Sequence, residues 1–112
     1  MRKQRALWWR RLAATLAPRR RLQVFEGDML PNTLPTFDLA LAREEEEDCC
    51  IGMHCPCGCG QRLELIVLSN VKPRWDYLLN VKGHVTLHPS VWLTNGCQSH
   101  FWVRRGKVIW CE

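Results

Sequence analysis

Hydrophobic residues fall at helical spacing only at the start of the chain. Trp8, Trp9, Leu12, Ala13 and Leu16 share one side of a helix over residues 1–17, with arginines flanking the stripe. Pro18 ends it, because the residue before a proline is pushed out of the α region. Beyond that point the pattern changes to short runs bounded by turn residues. Leu22–Phe25 reads as a strand, Pro31 and Pro35 break the next stretch into turns, and Phe37–Ala42 is a second, weakly alternating strand. Glu44–Asp48 is a run of five acids. Buried carboxylates would lose their water, so the run reads as a solvated hairpin loop, with an acidic handle for a partner as the alternative.

From Cys49 onward every segment has β character. Cys49–His54 leads into a cysteine cluster, and Arg62–Leu68 follows it. Trp75–Val81 and His84–His88 flank a Lys82–Gly83 turn. His100–Arg104 and Lys107–Cys111 flank Arg105–Gly106, a two-residue hairpin signal. The pattern predicts a mainly β protein: a small, zinc-stapled antiparallel sheet or sandwich with an N-terminal helix. No internal repeat is visible.

Composition changes this picture in two ways. The chain has 112 residues and a net charge of +5. Residues 1–21 hold eight Lys/Arg and no acid, whereas the remainder sets eight Lys/Arg against eleven Asp/Glu, a net −3. The organisation expected is a basic amphipathic helix or extension over 1–21 and a zinc-binding β domain over 22–112. The seven cysteines are an odd number, so they cannot form a fully paired disulfide scaffold. No apolar run approaches the roughly 20 residues that span a bilayer. The Arg-rich start lacks the apolar core of a secretory signal, although a transit peptide shares its composition. The expectation is a cytoplasmic protein whose clustered thiols bind metal.

The candidate metal ligands are Cys55 and Cys57 from Cys-Pro-Cys-Gly, with Cys97 and His100 from Cys-x-x-His. Zinc takes four such ligands at tetrahedral positions, and two tight turns can each supply a pair. Pro56 stiffens the first turn and Gly58 lets the chain wrap back. Cys49, Cys50 and Cys111 each read as ordinary small apolar residues, though Cys111 pairs close to His100. Cys55-Pro-Cys-Gly-Cys-Gly60 resembles the Cys-Pro-Cys-Gly-Ser-Gly of the SEC-C zinc motif, which makes Cys59 a reserve ligand. The two-pair layout is also similar to Rieske domains, but a Rieske cluster needs two histidines.

Thr86-Leu-His-Pro-Ser-Val-Trp92 and the tail from Gly96 to Cys111, joined to the cysteine block and Pro73-Arg-Trp75, carry a wider resemblance. Together they resemble a bacterial family of small Cys-rich proteins of unknown function. Its genes stand beside those for ubiquitin-like proteins and their conjugation enzymes, in operons linked to phage defence. The resemblance covers roughly residues 22–112. It implies an accessory or processing factor of such a pathway, with the ubiquitin-like protein or its conjugation enzymes as partner.

One form of that role is a serine-type peptidase, with Ser90 or Ser99 as nucleophile and His100 or His88 as base. A serine nucleophile needs a base within hydrogen-bond reach. Ser99 and His100 are neighbours and point to opposite faces of a strand, whereas Ser90 can meet His100 across two strands. A His100 acting as base cannot also bind zinc, and Cys59 or Cys111 would then complete the site. The alternative is a non-catalytic, zinc-stabilised protein-interaction module, since four protein ligands make a closed site. Nucleic-acid binding is least favoured, because residues 22–112 are net negative.

Overall fold

The computed structural model describes Trp9, Leu12, Ala13 and residues 16–111. Trp9, Leu12, Ala13 and Leu16 have helical backbone, but no continuous helix stands among the described residues. The rest of the expected N-terminal helix lies outside them. The fold that follows is mainly β. Strands β1 (Leu22–Glu26), β2 (Leu39–Glu44), β3 (Glu47–His54) and β4 (Arg62–Ile66) form one sheet in that order. β5 (Asp76–Leu79) and β6 (Val85–His88) form a hairpin. β7 (Val91–Trp92), β8 (His100–Arg104) and β9 (Lys107–Trp110) form a third antiparallel set.

The main core lies between these layers. Leu39, Leu41, Ile51, Met53, Leu63 and Leu65 of the first sheet belong to one buried cluster with Val85, Leu87, Val91, Phe101, Val103 and Val108. Burying a side chain of this size stabilises by about 1.5–3 kcal/mol. The weak alternation of β2 has a cause: both of its faces are covered. β1 and β2 are parallel, so residues 27–38 must cross over, and Leu30 and Leu34 pack on Ala40 and Ala42 from the far side. Gly52 of β3 lies under this crossover, where an added Cβ would stand 2.7 Å from Leu30 Cδ1.

The acidic run does form a hairpin, but its turn needs only Glu45 and Glu46, with φ of 50° and 69°. Glu47 and Asp48 continue into β3. Asp48 accepts hydrogen bonds from Arg43 Nε at 2.7 Å and from Tyr77 Oη at 2.6 Å. Its carboxyl therefore sits between the β2–β3 hairpin and β5. Partial burial raises its pKa, but the bonds from Arg43 and Tyr77 outweigh that and hold it below its ordinary value. A depressed carboxylate pKa gives stability that is complete above the ordinary carboxylate range and is lost as pH falls through the folded value. Tyr77→Phe should cost about 1 kcal/mol at neutral pH, discounted for partial exposure. It should also lose less of its remaining stability between about pH 5 and pH 2 than the wild type. Urea unfolding at the two pH values checks this, and equal losses would remove Asp48 from the acid response.

Three of the N-terminal arginines are tied to the β fold by their own bonds. Arg20 N–H donates to Gly106 O at 2.7 Å, and Val85 N–H donates to Arg20 O at 3.2 Å. Arg21 bridges to His84, and Arg19 Nη1 donates to Arg105 O. Arg105 and Gly106 form the β8–β9 turn at positive φ. A Cβ on Gly106 would lie 2.6 Å from Arg20 N and 2.7 Å from Arg20 O, both backbone atoms. Gly106→Ala should therefore destabilise by about 2–4 kcal/mol, more than φ strain alone would cost. A thermal melt equal to wild type would show that the Arg20 segment does not hold this turn.

Candidate functional site

Two tight loops carry the thiols. After β3, Cys55 N–H donates to Gln61 O at 2.8 Å and Gly58 N–H donates to Cys55 O at 3.2 Å. Gly58 and Gly60 take φ of 85° and 86°, so the chain turns around its own sulfurs. Gln61 N–H points at Cys59 Sγ at 3.4 Å. The second loop precedes β8, with Gln98 at φ 53°. Together they bring the sulfurs of Cys55, Cys57, Cys59 and Cys97 within 4.8 Å of one another. Four thiols so placed make a metal-compatible centre.

The surroundings of the thiols differ. Burial pushes Cys55 strongly up. Burial also raises Cys97, but bonds from the Ser99 hydroxyl and backbone N–H, and from Cys57 and Cys55, outweigh it and bring Cys97 to about 7. Ser99 is fully buried, with Oγ 3.1 Å from Cys97 Sγ and 3.8 Å from Cys55 Sγ. A hydroxyl there can donate to a thiolate, which favours the charged form that binds metal.

His100 follows Ser99 and points to the other side of β8. Its Nε2 lies 2.9 Å from Ser90 Oγ. β7 pairs antiparallel with β8, placing Trp92 opposite His100, and the Trp92 ring stacks on the imidazole at 5.0 Å and 14°. Trp75 Nε1–H donates to Ser90 O at 3.4 Å, which holds the backbone of that residue. A serine hydroxyl against an imidazole, with both backbones held, is the arrangement that activates a nucleophile.

Of the residues singled out in the sequence, Cys55, Cys57 and Cys97 come together as a group. The fourth member of that group is Cys59, while His100 lies against Ser90. Among the serine and histidine candidates, Ser90 and His100 are paired. Ser99 faces the thiols, and His88 has its ring 6.1 Å from Trp102. Cys111 N–H donates to His100 O at 2.9 Å, but its thiol is outside the group. The contributions of Trp75 and Trp92 were missed. No spacing marks either of them, and only the short strand β7, too brief to show periodicity, reveals that Trp92 opposes His100.

Fold and site together describe a small β protein that carries a serine–imidazole pair beside a four-thiol centre. The chain belongs to the family described as bacterial ubiquitination-like system serine protease (BubE), whose model matches residues 26–111. No curated protein and no solved structure matches it. No helix among the described residues is long and apolar enough to cross a membrane.

Proposed function

We propose that this chain is a serine hydrolase of a bacterial ubiquitination-like system, with Ser90 as nucleophile and His100 as general base. It acts on acyl bonds of the system's ubiquitin-like protein, in the cytoplasm. The single observation that carries this reading is the 2.9 Å contact between Ser90 Oγ and His100 Nε2. The family's description as a serine protease supports it.

The chemistry follows from that contact. With its proton on Nδ1, His100 accepts the Ser90 hydroxyl proton at Nε2 as Oγ bonds to the substrate carbonyl carbon. When the tetrahedral adduct collapses, the carbon–nitrogen or carbon–oxygen bond to the leaving group breaks. Nε2 returns its proton to that group, leaving an ester on Ser90. Water then loses a proton to Nε2 as its oxygen bonds to the ester carbon; the carbon–Oγ bond breaks, Nε2 returns the proton to Ser90 Oγ, and the acid leaves. Trp92 keeps the imidazole plane fixed through these transfers, and Trp75 anchors the Ser90 backbone.

The four thiols fit a structural zinc. Zinc–sulfur bonds of about 2.3 Å at tetrahedral angles put sulfurs about 3.8 Å apart. Cys55 Sγ lies 3.4 Å from Cys57 Sγ and 3.6 Å from Cys97 Sγ, so little rearrangement is needed. Cys55, Cys57, Cys59 and Cys97 would hold the ion as a closed site with no open position for water, and its contribution is folding free energy. Ser99 and His100 point to opposite faces of one strand, so the same ion would stiffen the strand that carries the base.

The test is cleavage of a fusion in which the pathway's ubiquitin-like protein precedes a reporter. The folded protein should cut it at the modifier's end, and brief exposure to chelator should leave the initial rate unchanged. An uncut fusion, or a rate that falls with chelator before the fold is lost, would reject the serine mechanism.

A further inference from the structure

The register of the last five strands gathers one exposed face around the candidate nucleophile. Trp92 pairs with His100, Trp102 with Ile109 and Arg104 with Lys107. Opposite β6, Asp76 pairs with His88 and Leu78 with Thr86. The alternate residues Val85, Leu87, Phe101 and Val103 are buried, so these pairs all point outward. That face is unusually apolar for a surface: Leu78 is 73% exposed, Trp92 67% and Ile109 43%. The His88 and Trp102 rings lie beside them, tilted by 35° at 6.1 Å, and a hollow of about 360 Å³ opens among Asp76, Leu78, Thr86 and His88.

The charge on this face is unbalanced. Arg104 lies 4.7 Å over the Trp102 ring, and neither it nor Lys107 has an acidic partner among the described residues. Asp76, the acid of the face, is neutralised by Arg74 at 2.8 Å. The surface therefore offers apolar and aromatic contact with a net positive rim, although residues 22–112 as a whole are acidic.

We propose that this face is the substrate track: an extended segment of the substrate protein, with apolar side chains and at least one acid, lies across it beside the bond that Ser90 attacks. Its apolar side chains sit on Trp102, His88 and the hollow at Leu78, and its carboxylate meets Arg104. The inference deepens the serine-hydrolase reading and rests on it for the position of the bond. Continuity with the Ser90–His100 pair and the uncompensated cations favour such a segment over other occupants. A cation stacked on an aromatic ring is a ready carboxylate receptor, because the guanidinium edge stays free.

The Ser90→Ala protein separates docking from cleavage. Its affinity is measured by fluorescence anisotropy for an apolar peptide carrying glutamates and for the same peptide carrying lysines. The glutamate peptide should bind about tenfold more tightly, the range expected for replacing attraction by repulsion at an exposed site. Adding Arg104→Glu should reverse that order, and Leu78→Asp should weaken the glutamate peptide. Met29→Ser, an equally exposed apolar position in the β1–β2 connection, should change neither. Equal affinity for both peptides, or a preference that survives Arg104→Glu, overturns the track. So does tight binding of a single-stranded oligonucleotide in place of the peptides. Cleavage by the wild type without any charge preference overturns the track and leaves the hydrolase standing. A charge preference reversed by Arg104→Glu, with no cleavage by the wild type, supports the track and overturns the hydrolase.

Discussion

Ser90→Ala should abolish cleavage of the modifier fusion, lowering kcat/KM by about 10³-fold or more. A loss of this size is expected because the hydroxyl is the attacking atom and nothing nearby replaces it. Stability should hardly move. The side chain is half-buried, and its partner in the fold is the His100 ring, so removing it costs about 0.5 kcal/mol. Ser99→Ala should do the reverse. Its hydroxyl is fully buried against the Cys97 and Cys55 sulfurs, so its loss should lower the melting temperature and weaken metal retention. Activity per folded, metal-loaded molecule should stay within a few-fold of wild type. Circular dichroism melts with initial rates on the fusion separate the two serines. Equal loss of activity in both variants would mean that Ser90 is not distinctive.

Cys59→Ala should fail to hold a metal, and His100→Ala should hold it. This contrast has the second-largest expected effect, because structural zinc contributes on the order of 10 kcal/mol in small zinc domains. Cys59 lies within 4.8 Å of the other three sulfurs, whereas His100 Nε2 is engaged with Ser90. Cys59→Ala should therefore yield a chain with less than one bound zinc and a melting temperature lowered by at least about 15 °C. His100→Ala should bind one zinc and fold, with cleavage lost. Cys50→Ser should be mild, since that thiol is half-buried away from the cluster. Elemental analysis of purified protein checks all three. Zinc retained in Cys59→Ala and lost in His100→Ala would restore the three-cysteine, one-histidine set.

Part of the fold could be read along the chain, because β4, β6 and β8 each have one buried face and therefore alternate. β4 and β8 show this plainly. β2 does not, because its second face is covered by the Leu30 and Leu34 crossover, and no local pattern reports a layer added from elsewhere. The parallel β1–β2 pairing was hidden for the same reason. The clip formed by Arg19–Arg21 was also invisible, since three arginines in a basic tail give no sign that their backbone is engaged. A truncation meant to remove the basic extension should therefore stop at Pro18.

The candidate site was legible as chemistry and less so as geometry. Spacing marks Cys55, Cys57 and Cys97 as candidate metal ligands but offers His100 as the fourth and leaves Cys59 in reserve. The position of His100 depended on which way one strand residue points, and the alternation argument that separated Ser99 from His100 already implied opposite faces. What spacing could not reveal was that the inward position belongs to Ser99, which lies against the Cys97 and Cys55 sulfurs, and the outward one to His100, which lies against Ser90.

The most direct test of the central claim is labelling with a fluorophosphonate probe, which forms a stable bond only with an activated serine. The chain has three serines, Ser69, Ser90 and Ser99. Mass spectrometry of the folded, metal-loaded protein should find a single adduct on Ser90, absent from His100→Ala although that variant keeps its zinc. An adduct on Ser99, or labelling of Ser90 that persists without His100, would contradict the account.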